Sequence, residues 1–454
     1  MKSMPKPVEV SSLATARSFE APAAAWPADE WWHAYGDAQL DALIAEALKD
    51  SPSLKAAVAR MNKAASLARV EGAGGWPALS AEGNVVSTRQ SLNEGFPPEF
   101  QAFLPQGWNG HARIALDAQY ELDFFGRHHA AFAAATSQAE AARAEAAAAR
   151  LQLSSAVALA YADLARLTAD HAALENVVRL REDSAGLVKQ RFESGLEHEG
   201  QLSQANSEAA GAKADLAALD GQIARTRNQL AALLGAGPDR GLDITAPGAL
   251  TLAAPGLPAN LAADLLGRRP DLVAAKARAE AAASRVHVAR ASFYPNVNLT
   301  AVIGFQSLGV DLLTDENSQF GSYGPAISLP IFNAGRLRGE FGAARADYEE
   351  AVALYDETLS GALRDVADAL ADRKAADAQL AQSQTVLDAA ENSYRIARLR
   401  YDGGLETYLD VLTVENALVA RRRAVSGLRA RAFAADVELI RALGGGYGAG
   451  ASKI

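Results

Sequence analysis

The sequence predicts a mostly α-helical chain that also carries membrane-spanning β-strands and is internally duplicated. Three observations predict this fold class. Matched positions recur in the two halves, two proline-free stretches are long enough for very long helices, and four stretches alternate apolar and polar residues. A length of 454 residues would by itself favour about three ordinary domains. The duplication favours one long unit instead.

Composition excludes several classes of protein. Charged residues make up 22% and apolar residues 49% of the chain, which is the balance of a folded protein. A formal net charge of −10 argues against a nucleic-acid partner. The absence of cysteine excludes disulfides and zinc-thiolate sites. No run of 18 apolar residues predicts a spanning helix, so any membrane crossing would have to use β-strands.

No constellation of catalytic, cofactor-binding or metal-binding residues is visible. The sequence contains no phosphate-binding loop, nucleotide fingerprint or serine-histidine-aspartate arrangement. The pair His128-His129 does not indicate a metal, because adjacent residues do not share a helix face. We therefore expect neither an enzyme nor a cofactor.

The duplication runs in two registers. Residues 51–77 match 269–295, and residues 126–235 match 335–444, with glycine, proline and arginine positions in agreement. Each half is predicted to form a helix, two strands, a very long helix, a tight turn and a returning helix. The predicted segments are an N-terminal extended segment 1–38, a helix 39–76, a β-hairpin 77–125, a long helical hairpin 126–235, a linker 236–269, a helix 270–294, a second β-hairpin 295–334, a second long helical hairpin 335–443 and a C-terminal tail 444–454.

The first helix of each half is predicted roughly at 39–72 and 270–291. A proline follows each of them, at Pro77 and Pro295, and proline cannot continue a helix. We therefore expect one unbroken helix before each predicted β-hairpin.

Four stretches, two of them ten or more residues long, alternate apolar and polar side chains, which is the period of a β-strand. They lie at 79–85, 110–123, 297–306 and 327–331. Ten residues is also about the length of a tilted strand that crosses a bilayer. We expect the polar side chains of the second strand to face a lumen: Arg113, Asp117, Gln119 and Glu121.

Two helices are predicted roughly at 126–193 and 335–402, with no proline inside either. About 68 residues of α-helix would be about 100 Å long. Glycines at 195 and 404 end them and open tight turns. In the second helix one apolar stripe repeats close to every 3.6 residues. Its members are Phe341, Ala344, Tyr348, Val352, Tyr355, Leu359, Leu363, Val366 and Leu370.

Four amphipathic strands cannot close a barrel alone, and open strand edges would be unpaired in lipid. Several chains must therefore contribute strands to one barrel. The alternative is that the strands are half-buried hairpins of a soluble protein; the long helices and the duplication favour the barrel. Aromatic residues gather where strands meet helices, as an interfacial belt would. They are Trp76, Phe124, Phe125, Phe293, Tyr294 and Phe332.

Several motifs together resemble one known family. They are WWHAYGDAQL at 31–40, YELDFFGR at 120–127, LLGRRPD at 265–271, LPIFNAGR at 329–336 and ALGGGY at 442–447. In this set the chain resembles the TolC-like outer-membrane efflux factors, and specifically the lipoprotein branch of drug-efflux channels. Members of that branch usually carry a lipidated cysteine at the mature N-terminus. This sequence has none, so either it was removed with a signal sequence or lipidation does not occur.

The resemblance implies a homotrimer in the outer membrane that spans into the periplasm. A twelve-stranded β-barrel would be continuous with a periplasmic α-barrel of twelve long helices. The protein would be the passive exit channel of a tripartite multidrug efflux system, with a periplasmic adaptor and an inner-membrane pump as partners. Two alternatives stay open: an outer-membrane channel for type I protein secretion, and a periplasmic coiled-coil scaffold that uses no membrane.

The resemblance also implies functional residues at the helical turns. Gly195, Leu196, Gly404 and Leu405 match the adaptor-facing tips, although the glycines could simply terminate helices. Leu409 and Asp410 match the apolar and acidic rings of the constriction. The alternative for Asp410 is a solvated carboxylate on a helix face.

Two further positions belong to the implied gate. Thr413 stands where family members often carry a second aspartate, which puts a double acidic ring in doubt. Arg400, like Arg191 in the first half, precedes its turn by four residues. These arginines could hold salt bridges of a closed state or could cap the last carbonyls of the long helices.

Overall fold

The computed structural model describes residues 4–91, 95, 97–248, 252, 256–258, 261–403 and 405–448. Helices dominate the described chain. The helices are α1 Ala38–Asp50, α2 Pro52–Ala73, α3 Arg127–Glu193, α4 Glu199–Leu233, α5 Asp239–Leu242, α6 Leu261–Arg268, α7 Pro270–Ala291, α8 Arg336–Asp402 and α9 Tyr408–Ala442. The strands are β1 Ala78–Arg89, β2 Trp108–Leu122, β3 Asn296–Leu308 and β4 Gln319–Ser328. Among the helices of these residues, none is both long and apolar enough to cross a lipid bilayer.

The two very long helices are confirmed, since α3 and α8 each contain 67 residues. The chain divides into two compact units. Unit 1 holds the described residues within 1–6, 62–141 and 276–353, and unit 2 holds those within 7–61, 142–275 and 354–454. The finer division into nine segments stays a prediction.

The prediction of one unbroken helix over 39–72 is wrong. α1 ends at Asp50 and α2 begins at Pro52, and Ser51 between them has a ψ of 125°. Proline fits the first turn of a helix but disfavours the α conformation in the residue before it. Pro52 therefore breaks the helix by the same rule that ends it before Pro77.

Unit 1 contains one antiparallel sheet in the order β1-β2-β3-β4. In its register Ala81 lies beside Leu116, Leu116 beside Ile303, and Ile303 beside Gly321. The predicted apolar positions of the first three strands therefore share one face, and the alternation is confirmed there. Large apolar side chains on this face are exposed to solvent in the single chain: Leu79, Val85, Ile114, Leu116, Leu299, Ile303, Tyr323 and Ile327.

The fourth strand lies earlier in the chain than predicted. β4 ends at Ser328, so of the predicted stretch 327–331 only its first two residues are in the strand. Ser328 pairs with Asn296, the first residue of β3, and no partner strand remains beyond it. Pro330 has no N–H to extend the ladder. The sequence of β4 shows no clear apolar-polar alternation, because Gly321 and Gly324 interrupt it.

Unit 2 contains two hydrophobic clusters. The first packs Trp31, Trp32 and α1 against α3, α4 and the end of α9. The second packs α6 and the start of α7 against residues 355–370 of α8 and the end of α9. The apolar stripe predicted for α8 supplies buried residues to the second cluster from Tyr355 to Leu370.

A short 3₁₀ helix, Trp31–Tyr35, anchors the N-terminal segment in unit 2. The Tyr35 hydroxyl donates a hydrogen bond of 2.8 Å to the Asp436 carboxylate on α9. Arg373 of α8, which is 3% exposed at its side chain, pairs with the same carboxylate. Asp37 caps α1 and accepts a hydrogen bond of 2.9 Å from Tyr161 of α3. One short segment thus joins α1, α3, α8 and α9.

A buried arginine organises the second cluster in a similar way. Arg269 reaches Asp271 at 2.6 Å and Asp365 at 3.2 Å, and it donates to the Ala362 carbonyl at 3.2 Å. Nearby, Gly444 has a φ of +92°, and a Cβ there would collide with the carbonyl oxygen of Arg268. The arginine and the glycine of the two sequence motifs therefore meet where α7 starts and α9 ends.

Replacing Tyr35 with Phe should lower the free energy of unfolding by about 1.5–3 kcal/mol, because a buried carboxylate loses a charge-assisted hydrogen bond. The matched control is Tyr348→Phe, which removes a bond of 2.9 Å to the Pro5 carbonyl near the surface. That change should cost less than about 0.5 kcal/mol. Denaturant unfolding of the detergent-solubilised protein measures both. Equal losses would show that the bond to Asp436 adds nothing beyond an ordinary surface contact.

Candidate gate and docking tips

The turn between α3 and α4 is closed by backbone hydrogen bonds. Gly195 has a φ of +74°, a conformation that favours glycine. Its N–H donates to the Phe192 carbonyl at 2.9 Å, and the Leu196 N–H donates to the Arg191 carbonyl at 2.8 Å. This arrangement satisfies carbonyls that the end of α3 leaves open.

The turn between α8 and α9 repeats this geometry. The Leu405 N–H donates to the Arg400 carbonyl at 2.8 Å, the same bond in the second half of the chain. The Gly403 N–H donates to the Leu399 carbonyl at 3.1 Å. The predicted tip residue Gly404 lies outside the described residues.

Each turn also carries a side-chain ion pair. Arg191 Nε lies 3.1 Å from Glu197 Oε1, and Arg400 Nε lies 2.6 Å from Glu406 Oε1. Each arginine thus forms a salt bridge within its own turn, and the role of these arginines in a closed state stays a prediction. The arginine side chains are half-exposed, so each pair contributes only about 0.2–1 kcal/mol.

Glu197 and Glu406 are not among the site residues predicted from the sequence. The signal was present, because the two glutamates occupy matched positions of the duplication, directly after the tip leucines. Arginine and glutamate stand six residues apart, and that spacing does not predict contact on a helix. Only the reversal of the chain at the glycine brings them together.

The apolar tip side chains are open to solvent. Leu196 is 68% exposed, Leu405 is 72% exposed, and Leu409 in the first turn of α9 is 67% exposed. These three leucines have little contact with the rest of the chain.

Asp410 caps the start of α9. Its Oδ2 accepts from the Thr407 N–H at 3.0 Å and from the Thr407 hydroxyl at 2.6 Å, while the Thr407 hydroxyl accepts from the Asp410 N–H at 3.4 Å. This is a capping box. The hydrogen bonds from Thr407 hold the pKa of Asp410 below its usual range. Asp410 is exposed, as a helix-face carboxylate would be, and its carboxylate is also hydrogen-bonded to Thr407 at the start of α9.

The cap of α9 can be compared with the residue one turn further along, Thr413, and with the matching helix start in the first half of the chain. The Thr413 hydroxyl donates to the Leu409 carbonyl at 2.9 Å, one turn back on α9. At the start of α4, His198 and Gln201 stand where α9 has Thr407 and Asp410, and Gln201 Oε1 accepts from the His198 N–H at 3.4 Å. Only the second half places a carboxylate at this position.

Further along the hairpins, a buried arginine joins three helices. Arg181 of α3 lies 2.8 Å from Glu208 of α4 and donates at 2.6 Å to Asn416 of α9. Beside it on α9, burial raises the pKa of Glu415, an effect that Arg181 and Arg398 oppose. The sequence analysis did not single out these residues.

The four side chains predicted to face a lumen share one face of β2, opposite Ile114 and Leu116. The Arg113 guanidinium lies 4.9 Å from the ring centre of Phe320 on β4. Glu121 accepts from Arg127 at 2.7 Å, where β2 leads into α3. Asp117 and Gln119 lie between them on the same face.

Comparison with known proteins identifies the family of this chain. The family model "Outer membrane efflux protein" matches residues 43–236 and 261–445. The chain belongs to the outer membrane efflux protein family.

Relatives and solved structures agree with this assignment. The multidrug resistance outer membrane protein MdtP of Escherichia coli is 32% identical over 431 residues, covering 94% of this chain and 88% of MdtP. The toluene efflux pump outer membrane protein TtgF of Pseudomonas putida is 32% identical over 421 residues, covering 92% of this chain and 85% of TtgF. The crystal structure of VceC from Vibrio cholerae matches with a TM-score of 0.85 at 43% identity, covering 93% of this chain and 100% of VceC.

This efflux protein is accordingly an outer-membrane protein that spans into the periplasm and serves as the exit channel of an efflux system. The family is one of channels.

The Gly195→Ala variant should lose local stability at the first tip, by about 1 kcal/mol, because a Cβ disfavours the left-handed conformation. Gly186→Ala, inside α3 and seven residues before that helix ends, is the matched control, since its Cβ would meet no neighbour within 4 Å. Alanine there should stabilise the helix by about 0.5–1 kcal/mol. Hydrogen exchange of the amides around each substitution measures both effects. Opposite signs are expected, and slower exchange in Gly195→Ala would contradict the role assigned to the turn.

Proposed function

We propose that this efflux protein works as a homotrimer, in which three four-stranded sheets close one twelve-stranded β-barrel in the outer membrane. The long helices of the three chains would form a twelve-helix α-barrel in the periplasm. Small toxic compounds would leave the cell through the lumen, without chemical change. The observation that carries this proposal is the sheet of unit 1, with its open edges and its exposed apolar face.

The apolar face supports contact with lipid. Tyr323 is 93% exposed, Leu79 is 72% exposed and Ile327 is 71% exposed on this face. Burying side chains of this size is worth about 1.5–3 kcal/mol each, so water is an unfavourable surrounding for them. The aromatic residues predicted for an interfacial belt, from Trp76 to Phe332, are also exposed in the single chain. Lipid and its headgroup region would cover both sets.

The strand edges support closure by other chains. β1 and β4 are the outer strands of the sheet, and each pairs with one neighbour within the described residues. Unpaired backbone groups are costly in a bilayer, where water cannot satisfy them. β1 of one chain pairing with β4 of the next would remove every edge. The face with Arg113, Asp117, Gln119 and Glu121 would then line the lumen.

The duplication supports the same assembly. Each half contributes one β-hairpin and one long helical hairpin, and the family model matches once in each half. Three chains would thus supply six similar units around one axis. Each repeated half would then contribute its β-hairpin to the β-barrel and its long helical hairpin to the α-barrel.

The proposed partners are a periplasmic adaptor and an inner-membrane pump. TtgF is named as the outer membrane protein of an efflux pump, which supports such an assembly for a relative of this length. The exposed tips with Gly195, Leu196, Gly404 and Leu405 would dock the adaptor. Leucine side chains that are about 70% exposed at a turn suit an apolar contact with a partner.

The proposed gate consists of Leu409, Asp410, Thr413 and Arg400. In a trimer, three copies of Asp410 would surround the axis and favour cations. Its lowered pKa supports a charge that persists at acidic pH. Arg400 would act through its bridge to Glu406, which holds the turn in place.

The native mass of the detergent-extracted protein tests the assembly. We expect a species of about 142 kDa after subtraction of bound detergent, which is three times the chain mass of 47.5 kDa. Native mass spectrometry gives this value directly. A monomer that stays soluble without detergent would mean that the apolar sheet face is covered from within, and the barrel would have to be abandoned.

Single-channel recordings test the acidic ring separately from the capping box. Asp410→Asn removes the charge and keeps an acceptor oxygen for the Thr407 N–H, whereas Thr407→Ala weakens the cap and keeps the charge. In a salt gradient, Asp410→Asn and Asp410→Ala should both shift the reversal potential toward that of a non-selective pore. Thr407→Ala should leave it near the wild-type value. An unchanged potential in Asp410→Asn would refute the ring.

A further inference from the structure

A half-open cavity of about 910 Å³ lies in unit 2, and none of the proposed gate or tip residues lines it. It lies among α3, α8 and α9, and residues 246–248 and 252 border it on one side. Its size falls within the range of about 300–1,000 Å³ that is typical of small-molecule sites.

The wall of the cavity is largely apolar. α3 contributes several alanines along one face, and α8 and α9 contribute larger side chains. The larger apolar groups are Leu380, Leu387, Val425 and Phe433. A flat or elongated apolar body would find dispersion contacts and lose contact with water here.

The charges at the cavity are predominantly positive. Four arginines line it, at 166, 422, 423 and 429, against one carboxylate, Asp170. Two of the arginines are already paired. Arg166 lies 2.7 Å from Asp163 and 3.1 Å from Asp170, and Arg422 lies 3.0 Å from Glu391.

The other two arginines have unused hydrogen-bonding capacity. The Nε of Arg423 is buried and has no hydrogen-bond partner in the described part of the chain. Arg429 is an exposed residue at the edge of the cavity, and the described residues provide it with neither an ion pair nor a hydrogen bond. A buried donor without a partner is costly and is usually satisfied by water or a ligand.

Asp170 offsets these charges only in part. Burial raises its pKa, and Arg166 and Arg423 oppose that effect. The carboxylate thus sits in a desolvated position next to Arg166, facing the same space as Arg423. The cavity keeps an excess of guanidinium groups beside an apolar wall.

We propose that this cavity binds a small organic anion with an apolar body, such as an aromatic sulfonate or carboxylate. Guanidinium groups of Arg423 and Arg429 would bind the anionic head, since arginine matches planar oxyanions with paired N–H donors. The apolar part would lie against Leu380, Leu387 and Phe433. This site goes beyond the proposed channel, because it belongs to the packed helices of unit 2 and requires no passage through a lumen.

Isothermal titration of the intact, detergent-solubilised protein with 2-naphthalenesulfonate tests the site. Saturable binding is expected for the wild type. Arg429→Ala should weaken it about tenfold or more, since one charge-assisted contact is lost. The matched control is Arg431→Ala, which removes an exposed arginine from the same helix outside the cavity. That variant should bind as the wild type does.

Two further ligands separate the contributions. The neutral analogue 2-naphthalenemethanol should bind at least about tenfold more weakly, because it cannot accept paired guanidinium contacts as an anion does. Inorganic sulfate should also bind more weakly, because it lacks the apolar body. Equal binding of the neutral analogue or of sulfate would refute the proposed ligand class.

Arg423→Lys tests the buried donor with less risk to folding than alanine. Lysine keeps the charge and loses the planar fork, so the affinity should fall while the thermal unfolding midpoint stays close to that of the wild type. Absence of binding to the wild type would also refute the proposal. In that case a neighbouring chain of the assembly would be the better candidate for filling the cavity.

Discussion

Backbone pairing at the edges of the sheet is the constraint on which the rest of this protein depends. A register that aligns Ala81, Leu116 and Ile303 puts the large apolar side chains of four strands on one face. Because side chains alternate along a strand, a slip of one residue would turn that entire face around. β1 and β4 remain at the edges within the described chain. Backbone groups at these two edges have a neighbouring strand on one side only, and water cannot satisfy the other side in a bilayer.

The two halves of the chain form the same helical turn but cap the returning helix with different side chains. Both turns bring an arginine carbonyl to a leucine N–H at 2.8 Å, and both hold an arginine against a glutamate. The caps that follow differ, because a helix start needs only an acceptor for its open N–H groups. Thr407 with Asp410 meets that need in one half and His198 with Gln201 in the other. A duplicated scaffold can thus place a carboxylate at the third position of α9 and an amide at the matching position of α4.

Buried charge, and not only apolar packing, joins the helices of unit 2. Asp436 is held by Arg373 and Tyr35, and Arg269 binds two carboxylates and a carbonyl at the junction of α7, α8 and α9. Removing one partner from such a group is expensive, because the other charge remains desolvated. Long helices rich in alanine can slide along one another, since small side chains provide few distinctive contacts. The buried pairs fix the register of these helices. The cavity also contains arginines among the packed helices, but there the buried Nε of Arg423 has no hydrogen-bond partner in the described part of the chain.

The sequence by itself determined the elements whose signals are local. Proline-free stretches predicted α3 and α8, alternation predicted the shared apolar face of the strands, and the glycine at 195 predicted the turn after α3. The tertiary structure decided what depends on pairing and chain reversal. β4 ends at Ser328 because β3 offers no partner beyond Asn296, and a strand is defined by its neighbour as much as by its own residues. Arg191 meets Glu197, and Tyr35 meets Asp436 from 401 residues away, only after the chain has folded back. Such contacts leave no periodic trace in the sequence, because their energy comes from distances that exist only in the folded protein.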